Sequence, residues 1–203
     1  MIYVIRHGQT KLNNAKLLQG RSDLPLNETG MEQARAAGHW LAGQGVSFQR
    51  VYSSPLVRAI QTAELVAPGV PVVADDRLIE MDYGPYEGSD LQNPAPEIIE
   101  FFSDFVHNPA PDGMEQLSEV VARTGEFVEE LNGASDNVLI STHAIAMKGI
   151  LEYLTPTSGG SYWSKYVGNC EVYVIDSTAS GFGVPERLGI AGETKGAKPT
   201  LGV

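Results

Sequence analysis

The sequence predicts an α/β protein, a three-layer α/β/α sandwich with a mostly parallel central sheet. Short apolar runs typical of strands alternate with longer segments that carry apolar residues at helical spacing. The run at the start of the chain is almost continuously apolar, as strands are when helices cover both faces of their sheet. The length of 203 residues, with 42% hydrophobic and 19% charged residues, suits a single globular domain over 1–203.

The first half of the chain contains three predicted strands and two predicted helices. The apolar run Ile-Tyr-Val-Ile predicts a strand over about 2–6, and an apolar stripe followed by two glycines predicts a helix over about 28–43. A second strand over about 50–54 leads into a helix that begins near Pro55, because proline is accepted in a first turn. The third strand, about 70–74, is short, and its early proline indicates a sheet edge.

The second half resumes the alternation after a turn-rich middle. Helical spacing of apolar residues predicts a helix over about 114–131, and a strand over about 137–142 follows it. A helix over about 144–154 and a strand over about 171–176 complete the regular elements. From Ser177 onward Gly, Thr and Lys dominate, so we expect an edge hairpin and a loose tail over about 177–203.

The charge is acidic overall but very unevenly distributed. The formal net charge is −11, which argues against a nucleic-acid partner, because phosphate-backbone binding needs clustered Lys and Arg. Residues 1–58 nevertheless hold seven basic and three acidic groups, whereas residues 59–147 hold two and seventeen. Half of the Lys and Arg residues therefore lie in the first 58 positions, which requires a reason.

The remaining composition indicates a cytoplasmic protein with no membrane partner. A single cysteine allows no intrachain disulfide, which is typical of a reducing compartment. No apolar run is long enough to cross a bilayer, and the start of the chain lacks the pattern of a secretory signal. A homodimer is possible, although the sequence indicates no interface.

Candidate site residues follow three predicted strands at the point where each strand ends. Arg6 and His7 end the first strand, Arg58 lies in the helix after the second, and His143 follows the 137–142 strand. Because ligands of open α/β sheets bind outside the carboxyl ends of the strands, we expect these four side chains to converge. Single histidines and arginines are more often structural, and we interpret the other two histidines, His39 and His107, in that way.

Four cationic or potentially cationic groups around one point indicate an anion, and a phosphoryl group fits them. Arginine forks match phosphoryl oxygens, and an imidazole whose other nitrogen is held can attack phosphorus. Thr10 and Asn13 can add neutral donors, and Gly8 would let the turn pass close to the phosphate. A proton donor for the leaving oxygen is also needed, and Glu80 is the best candidate in the acidic loop over 75–90.

Other phosphate chemistries lack their residues. The P-loop pattern is absent, and no Asp-x-Asp pair follows the first strand. The only cysteine, Cys170, is followed six residues later by Asp176 rather than by the arginine of a cysteine phosphatase. The arginine-rich setting of the two histidines repels a divalent metal, so we predict no metal site and histidine as the nucleophile.

The motifs resemble those of the histidine phosphatase superfamily, the phosphoglycerate mutase-like group. The matching segments, in chain order, are Arg6-His7-Gly8-Gln9-Thr10 with Asn13, 19–26 with Gly30, 53–63 from Ser53 to Ala63, Glu80-x-x-x-Gly84-x-x-Glu87-Gly88, and His143. The resemblance implies a phosphohistidine on His7, a phosphate pocket of Arg6, Arg58 and His143, and Glu80 as acid and then base. It also implies that Asn13, Thr10, Gln19 and Gly20 border the substrate.

Two short stretches depart from the family pattern. Family members usually read Ser-His-Gly-Gly after the late strand, where this chain has Thr142-His143-Ala144-Ile145. The usual Gly-Glu-Ser before the 114–131 helix is replaced by Gly113-Met114-Glu115. The first departure puts a side chain next to the proposed phosphate pocket.

The segment over about 81–113 is predicted to be a short helical excursion over the active site. Four of the twelve prolines bracket one helix, Glu97 to Val106. The spacing of Phe101, Phe102 and Phe105 favours a small core within the excursion, and the alternative is an apolar lid over the leaving group.

Three functions remain open. The favoured one is a metal-independent phosphomonoester hydrolase of the phosphatase-type branch, without a cofactor, acting on a small phosphorylated metabolite. The alternative is a cofactor-dependent phosphoglycerate mutase, and a non-catalytic phospholigand-binding module is the third. A mutase must hold a second anionic group, yet no Lys or Arg occurs between Arg77 and Arg123.

Overall fold

The computed structural model describes residues 1–189, and a six-stranded mixed sheet ordered β3-β2-β4-β1-β5-β8 lies at its centre. The strands are β1 (Ile2–Arg6), β2 (Arg50–Ser53), β3 (Val72–Ala74), β4 (Val138–Thr142), β5 (Val172–Ile175), β6 (Ser177–Thr178), β7 (Gly181–Phe182) and β8 (Glu186–Leu188). The first four run parallel, whereas β5 pairs antiparallel with β1 and β8 with β5. The mostly parallel sheet is therefore confirmed.

Helices cover both faces of this sheet. They are α1 (Lys11–Asn14), α2 (Glu28–Gly43), α3 (Val57–Val66), α4 (Pro96–Ser103), α5 (Leu117–Glu129) and α6 (Ala144–Leu154). One apolar cluster joins the sheet to α2 and α3, and another joins it to α5 and α6. The predicted α/β/α layering is thus confirmed. Within residues 1–189, no helix is long and apolar enough to span a membrane.

The strand β1 is buried on both faces because its side chains alternate between the two clusters. Ile2 and Val4 pack with α5 and α6, whereas Tyr3 and Ile5 pack with α2 and α3. This explains why the run is continuously apolar, since neither face of a doubly covered strand meets water.

Register brings the carboxyl ends of β1, β2 and β4 together. Arg6 lies opposite Thr142, and Ser53 lies opposite Ser141. The residues that follow these strands therefore emerge side by side at one edge of the sheet, as the topology rule for open parallel sheets requires.

The helix predicted from Pro55 begins two residues later, at Val57. Leu56 is still extended, and its N–H donates to the Ser54 hydroxyl at 3.3 Å. The first N–H of the helix, on Val57, donates to Asp23 Oδ1 at 2.7 Å. A carboxylate from a distant loop therefore caps α3, which local sequence patterns do not reveal.

The excursion helix is also shorter than predicted, ending at Ser103 instead of Val106. Asp104 Oδ1 accepts hydrogen bonds from the N–H groups of Val106 and His107, at 3.0 and 3.2 Å. This side-chain turn replaces the next turn of helix, a competition typical of aspartate. Near the other end of the excursion, α5 begins at Leu117, behind a capping box formed by Gln116 and Glu119.

The three phenylalanines of the excursion pack with each other, with ring centroids 4.9 to 5.4 Å apart. Phe101 is 1% exposed and belongs to an apolar cluster with Ile98 and Trp163. Phe102 and Phe105 are partly buried against the same cluster. The packing favours the small-core interpretation over a lid.

The hairpin predicted after Ser177 is present but lies off the main sheet. The strands β6 and β7 pair only with each other, and β8 then returns to the main sheet as the edge strand beside β5. The predicted loose tail falls mainly on residues 190–203, outside the described residues.

Candidate active site

His7 follows β1 directly and is almost fully buried. Its Nδ1 lies 2.7 Å from the Gly8 carbonyl oxygen, which can only accept, so Nδ1 carries the proton and Nε2 keeps its lone pair. Burial first, and then the charges of Arg58 and Arg6, hold the pKa of His7 well below its usual range. The imidazole is therefore neutral at pH 7, with Nε2 available as a nucleophile.

Arg58 is fully buried in the first turn of α3 and is fixed by three acceptors. Its terminal nitrogens donate to the carbonyls of Ser22 and Gly20 at 2.7 and 2.6 Å, and its Nε lies 3.3 Å from Nε2 of His7. Burial lowers the pKa of Arg58 to about 10, which leaves it charged at neutral pH. The guanidinium therefore places a fixed positive charge beside Nε2 of His7.

Arg6 supplies the second cation from the last position of β1. One of its terminal nitrogens donates to the Val167 carbonyl at 2.6 Å. Its Nε is buried and has no partner among residues 1–189. A buried unpaired donor is costly, so this Nε is the atom of Arg6 that could take an acceptor from a ligand.

His143 follows β4 and is fully buried at the position that caps α6. Its ring lies edge-on to that of His7, with centroids 5.1 Å apart. Its Nε2 lies 2.7 Å from the Ser54 hydroxyl oxygen. The predicted convergence of Arg6, His7, Arg58 and His143 is therefore present in the structure. The side chain of Ala144 is accommodated without a left-handed backbone, since its φ is not positive.

Glu80 is buried beside the amino terminus of α6 and accepts three backbone hydrogen bonds. Its Oε1 takes the N–H groups of Met81 and Ala146 at 2.9 and 3.0 Å, and its Oε2 takes that of Ile145 at 3.3 Å. Its negative charge acts on the site, since it opposes the effect of burial on the pKa of Arg58. These contacts fix the orientation of the carboxylate.

The four predicted substrate-border residues form a hydrogen-bonded rim. The Thr10 hydroxyl donates to Gln19 Oε1 at 2.6 Å, and Thr10 and Asn13 cap α1 reciprocally. The Gly20 carbonyl accepts from Arg58, and its N–H is shared by both carboxylate oxygens of Glu87 at 3.0 Å. The backbone of Gly20 is therefore engaged in holding Arg58 in place.

Several positioning residues carry little sequence signal. Thr62, one turn along α3 from Arg58, accepts from the Gly8 N–H at 3.1 Å and donates to the Arg58 carbonyl. Asn169, from the loop before β5, donates to the His7 carbonyl at 3.0 Å. Asn169 could not be predicted, because only the antiparallel pairing of β5 with β1 brings that loop to the site.

Gly8 has a packing role in the structure. A Cβ at this position would collide with the backbone carbonyl of Gly30 at the start of α2. The absence of a side chain at Gly8 therefore allows the loop after β1 to pack on that helix.

Cys170 and a bound metal ion are the alternatives to a histidine nucleophile. Cys170 is buried in the turn before β5, and burial raises the pKa of its thiol to about 12, so the thiolate that a cysteine nucleophile needs is disfavoured. Within the described part of the chain, no group of three or more His, Cys, Asp or Glu residues is placed to hold a metal ion.

The fold and the site together define an α/β protein in which a buried, neutral imidazole lies beside two arginines at the carboxyl ends of parallel strands. A family model for the histidine phosphatase superfamily (branch 1) matches residues 2–187. The chain belongs to this superfamily, as the sequence motifs predicted.

Relatives include both phosphatases and mutases. The chain is 34% identical over 163 residues to the "Uncharacterized phosphatase PhoE" of Bacillus subtilis, with 78% of each chain covered. It is 32% identical over 174 residues to a 2,3-bisphosphoglycerate-dependent phosphoglycerate mutase of Azorhizobium caulinodans, covering 77% of this chain and 83% of the mutase. The structure of YhfR from Bacillus stearothermophilus is similar, with a TM-score of 0.76, 30% identity and coverage of 90% and 94%. Membership and these relatives support general phosphatase activity.

Proposed function

We propose that this protein is a metal-independent phosphomonoester hydrolase that works through a phosphohistidine on His7. The observation that carries the proposal is the hydrogen bond from His7 Nδ1 to the Gly8 carbonyl at 2.7 Å. It fixes the tautomer whose Nε2 lone pair lies beside the Arg58 guanidinium, where a phosphoryl group would bind. Arg6 and Arg58 then neutralise the charge on the transferring group.

In the first step, Nε2 of His7 attacks phosphorus and the bond from phosphorus to the ester oxygen breaks. The leaving oxygen takes a proton from the protonated form of Glu80, so an alcohol departs and the phosphoryl group stays on His7. Support for this role comes from the position of Glu80 at the start of α6, next to His143, where Oε1 accepts two N–H groups and Oε2 accepts one, at 3.3 Å.

In the second step, water replaces the alcohol. Glu80, now ionised, accepts a proton from the water as the water oxygen attacks phosphorus and the bond from phosphorus to Nε2 breaks. Inorganic phosphate is released, His7 returns to its neutral form and Glu80 is protonated again. No metal or redox partner is needed to balance either step.

A small phosphomonoester with one anionic end is the substrate class that the charge distribution supports. Arg21, which follows Gly20 in the same loop, pairs with Asp82 at 3.2 Å and Glu115 at 3.4 Å. No Lys or Arg lies between Arg77 and Arg123. On the side of the site formed by Arg21 and the segment over 78–122, a second phosphate or carboxylate would therefore meet a paired arginine or acidic groups, which disfavours bisphosphates.

A phosphoglycerate mutase is the second candidate, and the Azorhizobium caulinodans relative favours it. A mutase returns the phosphoryl group from His7 to another hydroxyl of the substrate and must exclude water while doing so. The pairing of Arg21 with two carboxylates weighs against this activity, because it removes a cation that could hold the second anionic group.

The decisive experiment measures phosphate release from an aryl phosphate with EDTA present. We expect the wild type to be active and His7→Ala to lose activity by at least about a thousandfold, because the nucleophile is gone. His39→Ala, an exposed histidine of α2, is the matched control and should retain full activity. Activity that requires a divalent metal, or that survives in His7→Ala, would overturn the mechanism.

A second assay separates the phosphatase from the mutase. The enzyme is given 3-phosphoglycerate with catalytic bisphosphoglycerate, and both isomerisation and phosphate release are followed. Net phosphate release supports the hydrolase, whereas efficient isomerisation without release would establish the mutase.

A further inference from the structure

His143 is held through one ring nitrogen and leaves the other one free inside the site. Its Nε2 lies 2.7 Å from Ser54 Oγ, whereas its Nδ1 is buried and has no partner among the described residues. The ring is fully buried and lies against His7. An unpaired buried nitrogen is costly, so Nδ1 is the atom that a bound phosphoryl group would satisfy.

The Ser54 hydroxyl decides which nitrogen of His143 carries the proton. Ser54 is fully buried, and its oxygen already accepts from the Leu56 N–H at 3.3 Å. Within residues 1–189 its other hydrogen-bond partner is Nε2 of His143. If Nε2 carried a proton and donated to Ser54, the buried hydroxyl hydrogen would have no acceptor among the described residues, so we infer that this hydrogen points at Nε2, which accepts it with a lone pair. A neutral ring with a lone pair on Nε2 has its proton on Nδ1.

The charges around His143 favour the neutral ring. Burial first, and then Arg58, His7, Arg6 and Arg123, hold the pKa of His143 well below its usual range. These groups come from the end of β1, from α3 and from α5. The carboxylate of Glu80, at the start of α6, is the acidic group that faces this end of the helix, and the N–H groups of α6 already occupy it.

We propose that Ser54 is a positioning residue that holds His143 as the neutral Nδ1–H tautomer, so that the ring donates a hydrogen bond to a phosphoryl oxygen. This inference rests on the proposed function for its ligand. The pocket then contains two charged arginines and two neutral imidazoles of the same tautomer but opposite orientation. His7 turns its lone pair toward phosphorus, whereas His143 turns its N–H toward an oxygen.

The reverse tautomer would oppose binding. If Nε2 of His143 donated to Ser54, the lone pair of Nδ1 would face the oxygens of the anion and repel them. The partner of Nε2 therefore decides whether Nδ1 attracts or repels the ligand. The same holds in other sites where a hydrogen bond to one ring nitrogen of a histidine sets the protonation of the other.

The tautomer can be measured directly by NMR on the full chain labelled with ¹⁵N-histidine, using two-bond ¹H–¹⁵N correlations at pH 7. We expect His143 of the wild type to be neutral with its proton on Nδ1. In Ser54→Ala we expect a shift toward the Nε2–H form or a mixture of tautomers. A wild-type ring that is charged, or that carries its proton on Nε2, would overturn the proposal whether or not the protein is a phosphatase.

Function is measured on the same variants through the Kd for inorganic phosphate and kcat/KM for an aryl phosphate. We expect Ser54→Ala to lose about tenfold to a hundredfold in both quantities. The matched control is Ser53→Ala, because Ser53 is also fully buried but its hydroxyl donates only to the neighbouring Ser54 carbonyl at 2.8 Å. It should keep the wild-type tautomer and stay within about twofold of wild-type phosphate affinity.

The outcomes separate this inference from the proposed function. An unchanged tautomer in Ser54→Ala, or equal losses of phosphate affinity in Ser54→Ala and Ser53→Ala, would reject the role of Ser54 and leave the hydrolase intact. A protein that binds phosphate through Nδ1–H of His143 but hydrolyses no ester would support the role of Ser54 and reject the hydrolase.

Discussion

Arg58 illustrates how single residues are held at the site. Its planar fork reaches the Ser22 carbonyl, the Gly20 carbonyl and the His7 ring at once. Glu87 in turn fixes the N–H groups of Gly20 and Ser22, at 3.0 and 3.3 Å. The loop over 20–22 is therefore tied to the arginine on one side and to an acid on the other, so the cation beside His7 has one orientation.

Arg58→Lys should therefore be far from conservative. A lysine ammonium cannot reach two carbonyls and the imidazole in a planar arrangement, so the charge remains but its position is lost. We expect kcat/KM for an aryl phosphate to fall about a hundredfold to a thousandfold. Arg35→Lys, at an exposed position of α2, is the matched control and should leave kcat/KM unchanged. A loss of less than about threefold in Arg58→Lys would show that the fork geometry is unimportant.

For single residues, the positions of the main site residues could be predicted from the sequence, whereas their hydrogen-bond partners could not. Arg6 ends a buried strand, and His7 and His143 directly follow buried strands, so a topology rule is enough to bring them together. Ser54 and Thr62 lie within the same motif as Arg58, but nothing in the sequence indicates which atoms they contact. Hydrogen-bond partners depend on angles and distances that emerge only when distant segments pack.

The contact between α2 and the loop after β1 joins an element of the scaffold to the site. Gly30, in the first turn of α2, packs so closely on Gln9 that an added Cβ would collide with the Gln9 backbone. Gln9 also donates its N–H to Gln33 of α2 at 2.9 Å. Since Gln9 lies two residues after His7, the position of the start of α2 fixes the loop that follows His7.

Gly30→Ala should push α2 away from this loop. We expect a loss of about 1–3 kcal/mol in the free energy of unfolding, because the collision is with backbone that cannot rotate away. We also expect a lower kcat/KM, since the loop after His7 must shift. The matched control is Gly43→Ala at the other end of α2, where a Cβ would meet nothing within 4 Å. It should be neutral or stabilise by up to about 1 kcal/mol, and equal effects of the two substitutions in urea unfolding would contradict the packing argument.

Element types and order were predictable because the period of the apolar residues reports burial directly. Element ends were less so, for reasons visible at particular residues. The start of α3 depends on Asp23 from another loop, and the end of α4 depends on whether Asp104 bonds its own backbone. Both helix ends depend on side-chain contacts, which the spacing of apolar residues does not report.

At the scale of the whole molecule, the uneven charge is resolved by the fold. The basic first 58 residues supply Arg6, His7 and Arg58, and the acidic stretch supplies Glu80. Two imidazoles are then buried without becoming cations, since the pKa values of both His7 and His143 are held well below the usual range. The folded protein therefore binds fewer protons at these positions than the unfolded chain does in acid.

Stability should accordingly fall as the pH drops below about 6.5, the ordinary pKa of histidine. Below this pH the two imidazoles are protonated in the unfolded chain but stay neutral in the folded protein. The free energy of unfolding therefore decreases by up to about 1.4 kcal/mol per pH unit for each imidazole. Urea unfolding between pH 7.5 and about 5 measures this slope. His143→Gln should reduce the slope, whereas His39→Gln, on the exposed face of α2, should leave it unchanged. A slope that is identical in all three proteins would show that burial of His143 is not coupled to pH.

Glu80 stabilises the start of α6 as well as facing the site, and this has a consequence for the sequences of homologues that have lost activity. Its carboxylate accepts the N–H groups of Ile145 and Ala146, which His143 at the cap position does not satisfy through its side chain. In a homologue that had lost catalysis, substitutions of Glu80 would still be selected against, because the start of α6 needs this carboxylate as a hydrogen-bond acceptor. Nε2 of His7 accepts from the Arg58 side chain but, among the described residues, bonds no helix or strand backbone, so its loss would cost the fold less than loss of the Glu80 carboxylate. In such a homologue, a glutamate retained at position 80 is thus poor evidence of activity, whereas a histidine missing at position 7 is good evidence that activity has been lost.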